Sequence, residues 1–260
     1  MTKSLVAAVA IGLLFGMAKL PLEHSLEQED RAAFFHGAKL SLGLRDQVGQ
    51  LGFLAALSGF RSLVADFLWI EAHTAWEGTQ WARMALLFNN VTTLQPRVLM
   101  FWDIAAWHMA YNASVAAMND RTQPRMALRL RAQHEYFELG KDFLVRGIEN
   151  NPDRYLLYER LGIVERDKFG DHLAASIRFG QAAAIRGAPA YEKRFTAYEL
   201  SHCPGREQEA YEKLLALYKM GKQEWLPTLL ERLDYLQVKL NVPAAQRVYI
   251  PPHQLPGQKP

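Results

Sequence analysis

Prolines that close successive stretches of helical pattern are the feature that most constrains this chain of 260 residues. Pro152, Pro189 and Pro227 follow one another at almost equal intervals, each long enough for one helix pair with its turns. The interval from Pro96 to Pro152 is half again as long, which leaves room for one such unit and an insertion around 119–125. Repeats of this length are typical of proteins in which helix pairs stack on their neighbours. The spacing therefore predicts a helical-repeat architecture.

The hydrophobic pattern between about residues 23 and 240 has a helical period, and sustained strand-like alternation is almost absent from the sequence. We therefore predict an all-α fold, in the form of a right-handed α-solenoid of antiparallel helix pairs over 59–240. Turn residues divide the pattern at Asn119–Pro124, Asn150–Asp153, Phe169–Asp171, Gly187–Pro189 and Cys203–Gly205.

Two of the units carry large and small residues at fixed spacings within the first helix of a pair. The pattern falls on Trp102, Ala105, Ala106 and Met109, and on Tyr158, Leu161, Gly162 and the second-helix residue Ala174. It resembles the tetratricopeptide repeat, in which small residues allow two helices to approach closely and large ones fill the space between repeats. The resemblance covers residues 59–240 and implies a protein that binds other proteins or peptides.

The amino terminus has the pattern of a membrane signal. Residues 4–18 carry no charge and lie between Lys3 and Lys19. As a helix they would be about 23 Å long, short of a hydrocarbon core of about 30 Å, which fits either a short anchor or the apolar part of a cleaved leader. The flanking charges place the amino terminus in the cytoplasm. We expect a single-pass protein of the bacterial inner membrane with its repeats on the periplasmic side, or alternatively an exported soluble protein.

Three further stretches complete the predicted organisation. Residues 21–58 are interpreted as helices that lead into the repeats. Leu51–Ile70 is apolar and long enough to cross a bilayer, but Arg61 and Asp66 make a buried helix hairpin, with Gly59 near its turn, the preferred interpretation. Residues 241–260 contain five prolines and no helical period, which predicts a disordered tail.

Several kinds of chemistry find no support in the sequence. Thirty basic residues are nearly balanced by 27 acidic ones, and Arg125, Arg129 and Arg131 are interpreted as a solvated helix surface, so we expect no nucleic-acid partner. The eight histidines are scattered, Cys203 is the only cysteine, and phosphate loops and nucleophile elbows are lacking. We expect no metal, no cofactor and no catalytic residues.

Five of the six tryptophans, Trp69, Trp76, Trp81, Trp102 and Trp107, lie between Arg61 and Trp107, among otherwise apolar helices that also hold charged residues. This window is either a structural core or a groove for a partner, since tryptophan and arginine are enriched in interface hot spots. The residues assigned to such a groove are Arg61, Asp66, Trp69, Trp102, Asp103 and Trp107.

Together these patterns predict a membrane-tethered scaffold that binds a protein or peptide, as an assembly factor or subunit of a bacterial envelope complex. Two alternatives stay open. One is a helical hydrolase or transferase with its active site across the superhelix, and the other is an integral membrane subunit that uses Leu51–Ile70 as a second span. The oligomeric state is not predicted.

Overall fold

The computed structural model describes residues 59–250, and every regular element in that range is a helix. The all-α prediction is therefore confirmed for the described range. Each of the five predicted breaks lies in a turn between helices. The predicted anchor (1–20), the predicted leading helices (21–58) and the end of the predicted tail (251–260) lie outside the described residues. The chain divides into two units, with the boundary between Asn151 and Pro152.

The first unit contains two sets of packed helices. α1 (Arg61–Glu77) packs against α2 (Trp81–Leu94) through small side chains, since Ala65, Ala72 and Ala75 are completely buried.

None of the helices between residues 59 and 250 combines the length and the hydropathy that a membrane crossing requires.

The helices of the first unit are α1 (Arg61–Glu77), α2 (Trp81–Leu94), α3 (Leu99–Trp107), α4 (Ser114–Met118) and α5 (Met126–Asn150).

A π-helical turn, His108–Ala113, joins α3 to α4 and packs with them against α5. The Ser114 hydroxyl donates to the Ala110 carbonyl at 2.7 Å, which satisfies an acceptor in the widened turn. Gly140 of α5 lies directly opposite. A Cβ at this glycine would be 2.7 Å from the Ala110 Cβ and 2.8 Å from the Ala106 carbonyl oxygen. The close approach of the two helices therefore requires a glycine at position 140.

The end of α5 is held to the loop that follows α2. The Asn151 amide donates to the carbonyls of Pro96, at 2.8 Å, and Gly147, at 3.0 Å. The Arg97 guanidinium donates to the carbonyl of Asn150. Two of the breaks that the sequence pattern identified are thus joined by hydrogen bonds in both directions, from Asn151 to the Pro96 carbonyl and from Arg97 to the Asn150 carbonyl.

The second unit is a series of packed helices in which each contacts the next. α6 (Tyr155–Phe169) approaches α7 (His172–Ala184) at Gly162, where an added Cβ would be 3.2 Å from the Phe179 ring and 3.3 Å from the Ala175 carbonyl oxygen. Leu161 is also buried. The helices are α6 (Tyr155–Phe169), α7 (His172–Ala184), α8 (Tyr191–Leu200), α9 (Glu207–Lys219) and α10 (Pro227–Lys239).

The connection between α6 and α7 has well-defined caps. Gly170 ends α6 with a left-handed φ of +63°, and Asp171 accepts a hydrogen bond from the Ala174 N–H at 2.9 Å. Ala174, which the tetratricopeptide pattern places at the helix contact, is half-buried. The residue that faces Gly162 with complete burial is Ala175, one position later.

The disorder expected from residue 241 onward does not extend over 241–250. Val242, Val248 and Ile250 pack against the core of the second unit. The Val248 N–H donates to the buried Gln237 side chain at 2.7 Å, and the Tyr218 hydroxyl donates to the Tyr249 carbonyl at 2.6 Å. Prolines remove helical pattern from this segment, but Val242, Val248 and Ile250 are still partly buried and two of its backbone polar groups bond to side chains of the core.

Candidate functional site

The six residues assigned to a partner groove do not form one surface, and Trp102 lies in the core. Its side chain is 3% exposed and its indole N–H donates to the Pro96 carbonyl at 2.9 Å. The ring lies 6.4 Å from that of Phe143 on α5, and the Arg146 guanidinium carbon lies 5.5 Å from its centroid. Trp102 therefore joins α3 to α5 and is inaccessible to a partner. The adjacent small residues Ala105 and Ala106, assigned to helix packing, are also buried.

Trp69 is half-buried and connects three helices of the first unit. Its ring lies 5.4 Å from that of Phe88 on α2 and 4.9 Å from that of Phe101 on α3. Arg61 and Asp103 are half-buried and Asp66 is exposed.

Two other indoles are exposed around a half-buried histidine. Trp107 is 50% exposed and Trp76 is 37% exposed. Their ring centroids lie 4.9 Å and 5.8 Å from that of His108, and His73 lies 5.2 Å from Trp76. We call these four side chains the indole surface. It joins α1 to the start of the π-helical turn, and it contains only one of the six residues that the sequence assigned.

The imidazole at the centre of the indole surface is neutral at pH 7. Burial, together with the charge of the neighbouring His73, lowers the pKa of His108 to about 4. The Asn112 amide lies 3.0 Å from the His108 Nδ1, where it can donate to the lone pair of the neutral ring. The exposed indoles therefore surround an uncharged ring, and a partner that covers it needs no counter-charge there.

The second unit buries the carboxylate of Glu199 beside an imidazole ring and a guanidinium group. The His172 Nδ1 lies 2.7 Å from Oε2 of Glu199, and Nη1 of Arg166 lies 3.6 Å from Oε1. The His202 ring stacks on that of His172 at 4.8 Å, and burial lowers the pKa of His202. No sequence pattern indicated this cluster, because only the packing of α7 against α8 brings residues 172 and 202 together. Within residues 59–250 no three His, Cys, Asp or Glu side chains are grouped so that they could hold a metal ion.

A second buried carboxylate lies at the start of α8. Glu192 is fully buried, and neither of its side-chain oxygens has a hydrogen-bond partner among the described residues. Burial, followed by the charge of Glu159 on α6, raises the pKa of Glu192 to about 8. The Tyr191 hydroxyl donates to Glu159 at 3.3 Å. Glu192 therefore holds a proton at neutral pH and acts as an uncharged side chain in the core.

The tetratricopeptide-like residue Tyr158 is half-buried, and its hydroxyl donates to the Pro152 carbonyl at 3.2 Å across the start of α6. This contact has the same form as that between the Trp102 indole and Pro96, and the proline lies six positions before the aromatic residue in both cases. The sequence pattern aligned these two helices as equivalent, and at the start of each an aromatic side chain donates a hydrogen bond to the carbonyl of the preceding proline.

No protein-family model, curated protein or solved structure has a significant match to this chain.

Proposed function

We propose that this protein is a membrane-tethered scaffold of the tetratricopeptide kind that binds a protein partner through the indole surface of its first unit. The observation that carries the proposal is the exposure of Trp76 and Trp107 on either side of the neutral His108. Tryptophan is among the residues most enriched in interface hot spots, and aromatic clusters of this kind are seldom left in water.

The exposed surface of the two indoles is large enough to contribute substantially to binding. A tryptophan side chain offers up to about 250 Å² of surface, of which about half is exposed at Trp107. At about 25 cal/mol per Å², covering the exposed part would contribute roughly 3 kcal/mol before the costs of association. The Trp76 side chain, slightly less exposed, would contribute a similar amount.

Two further features support the scaffold assignment. Consecutive helices in both units approach through alanine and glycine, as the stacked pairs of an α-solenoid do. The proposed tether is the uncharged segment 4–18, which would hold the scaffold on the periplasmic face of a bacterial inner membrane.

Site-specific photo-crosslinking in intact cells tests the binding surface. A benzophenone side chain at position 107 should form an adduct with one discrete protein, and Trp76→Ala should reduce its yield at least severalfold. The control is the same probe at Val115 on α4, which is as exposed as Trp107 but lies outside the indole surface. Equal adducts from both positions, or none from position 107, would refute the proposed surface.

The tether is tested separately by fractionation. Removing residues 2–20 should move the protein from the membrane pellet to the soluble fraction without changing its helical circular dichroism. Retention in the membrane after this deletion would refute the tether but leave the binding surface open to its own test.

A further inference from the structure

The first unit contains a groove of about 560 Å³ that is separate from the indole surface. Pockets that hold small organic molecules are on the order of 300–1,000 Å³. The connection between α1 and α2 forms one wall, α4 and the loop after it form the second, and the amino-terminal half of α5 forms the third. The polar and aromatic residues that line the groove are Thr79, Trp81, Asp120, Gln123, Arg129 and Tyr136.

Arg129 is the residue that determines the charge of the groove. The sequence pattern placed it on a solvated helix surface, but the side chain is half-buried. Its Nε is completely buried and has no hydrogen-bond partner among the described residues, while Nη2 contacts the Met126 sulfur at 3.4 Å. This Nε is out of reach of a ligand, but the side chain lines the groove, so the terminal nitrogens of its guanidinium group are the donors that a ligand there would contact.

The other charged residue of the groove is held mainly by its own loop. Asp120 is exposed, and its Oδ1 accepts from the N–H and the hydroxyl of Thr122, at 2.8 and 2.7 Å. These hydrogen bonds, and to a smaller extent the charge of Arg129, lower the pKa of Asp120. Arg129 is therefore the half-buried cation of the groove, and Asp120 is an exposed anion whose charge interacts with it.

Apart from Thr79 and Gln123, the remaining lining is aromatic and apolar. Trp81 and Tyr136 are half-buried, and burial raises the pKa of the Tyr136 hydroxyl, so this ring is uncharged at neutral pH. Ala116, Ala117 and Ala132 supply small apolar surface between them. Such walls favour a flat or apolar body, whereas Arg129 favours one negative charge at the end of it.

We propose that this groove binds a small organic monocarboxylate, with its carboxylate on Arg129 and its apolar body between Trp81 and Tyr136. The proposal is independent of partner binding at the indole surface.

Isothermal titration calorimetry of the purified full-length chain in a non-ionic detergent tests the proposal, with 3-phenylpropionate as the probe. Saturable binding at one site is expected. The neutral analogue 3-phenylpropionamide has the same shape but lacks the charge, and should bind at least about tenfold more weakly because it loses a charge-assisted hydrogen bond.

Two arginine variants separate a specific contact from general attraction to a basic surface. Arg129→Gln should weaken binding of 3-phenylpropionate at least about tenfold. Arg131→Gln should leave it unchanged, since Arg131 is exposed, pairs with Glu135 at 2.9 Å and does not line the groove. Both variants should retain the helical circular dichroism of the parent.

The absence of saturable binding would overturn the proposal. Equal affinity for the acid and the amide, or equal weakening by the two arginine variants, would do so as well. Binding of inorganic phosphate as tightly as 3-phenylpropionate would also overturn it, because the aromatic walls would then contribute nothing.

Discussion

The contact between α5 and the π-helical turn gives the sharpest test of how this fold is packed. We expect Gly140→Ala to destabilise the first unit although alanine is the better helix former. A methyl group there would lie 2.7 Å from the Ala110 Cβ, 2.8 Å from the Ala106 carbonyl oxygen and 2.9 Å from the Ala110 nitrogen. Two of these atoms belong to the backbone, so relief requires one helix to move away from the other.

The expected magnitude follows from two opposing terms. Replacing a helical glycine by alanine gains about 1 kcal/mol of helix propensity. Overpacking a closely fitted contact typically costs about 1–3 kcal/mol, and the two backbone contacts place this site at the upper end of that range. The net loss should be about 1–2 kcal/mol. With an m-value of about 2 kcal/mol per M, the urea midpoint should fall by roughly 0.5–1 M.

Gly180→Ala is the matched control, since Gly180 also lies inside a helix. A Cβ at that position would have only the Thr196 side chain within reach, at 3.6 Å from its methyl carbon and 3.9 Å from its hydroxyl. We therefore expect a gain of about 0.5–1 kcal/mol from helix propensity alone. The two substitutions are identical chemically and should change stability in opposite directions.

Two spectroscopic signals follow the two units. Five of the six tryptophans lie between residues 69 and 107, so tryptophan fluorescence reports mainly on the first unit, whereas far-ultraviolet circular dichroism reports on both. The fluorescence midpoint should fall in Gly140→Ala, and the late part of the dichroism transition should move upward in Gly180→Ala if the second unit unfolds last. A rise in stability for Gly140→Ala comparable to that for Gly180→Ala would contradict the close helix contact.

Three other predictions concern the buried carboxyl group of Glu192, the helix cap at Asp171 and the different burial of Trp102 and Trp107. Burial and Glu159 raise the pKa of Glu192 to about 8, so the native state keeps a proton that the unfolded chain releases, and the protein loses stability between about pH 4.5 and 8. Glu192→Gln should remove this loss, so that the denaturation midpoints at pH 5 and pH 8.5 converge in the variant. An unchanged difference between the two midpoints would contradict this account. Asp171→Ala should lower the free energy of unfolding by about 1 kcal/mol through loss of the helix cap, and Asp171→Asn should lower it much less, both measured by urea titration. Equal losses in the two variants would argue against a capping role. Trp102→Ala should lower the free energy of unfolding by about 3–5 kcal/mol and Trp107→Ala by much less, since only the indole of Trp102 is buried. Similar losses for both variants would be inconsistent with this difference in burial.

The sequence predicted the elements of this fold better than the surfaces they present. Prolines and turn residues act locally on the backbone, so the breaks near Pro96, Pro152 and Gly170 could be located from the chain alone. The shift from Ala174 to Ala175 at the α6–α7 contact could not, because the register between two helices depends on the exact length of their connection.

The tryptophan-rich stretch between Arg61 and Trp107 also shows that burial could not be predicted from the local sequence. Trp102 and Trp107 lie on one helical stretch, and their separation along it places them about 140° apart around its axis. Their burial therefore depends on where α5 packs, a long-range property that no local pattern contains. Similarly, His172 and Glu199 are 27 residues apart, and the sequence contained no signal for their contact.

The irregular interval in the proline pattern accounts for the groove in the first unit. The interval between Pro96 and Pro152 is half again as long as either of the two intervals that follow it. The excess lies in the loop at 119–125 and in α5, which has 25 residues where α7 has 13. Six of the ten residues that line the groove fall between Asp120 and Tyr136, within the loop and the first three turns of α5. The regular part of the pattern thus forms helix pairs that pack through alanine and glycine, whereas the added residues surround a cavity that those pairs alone would not have. An insertion that only lengthened a solvated helix would leave Arg129 exposed, whereas its side chain is half-buried and lines the groove, and this is why we assign the inserted residues a binding role.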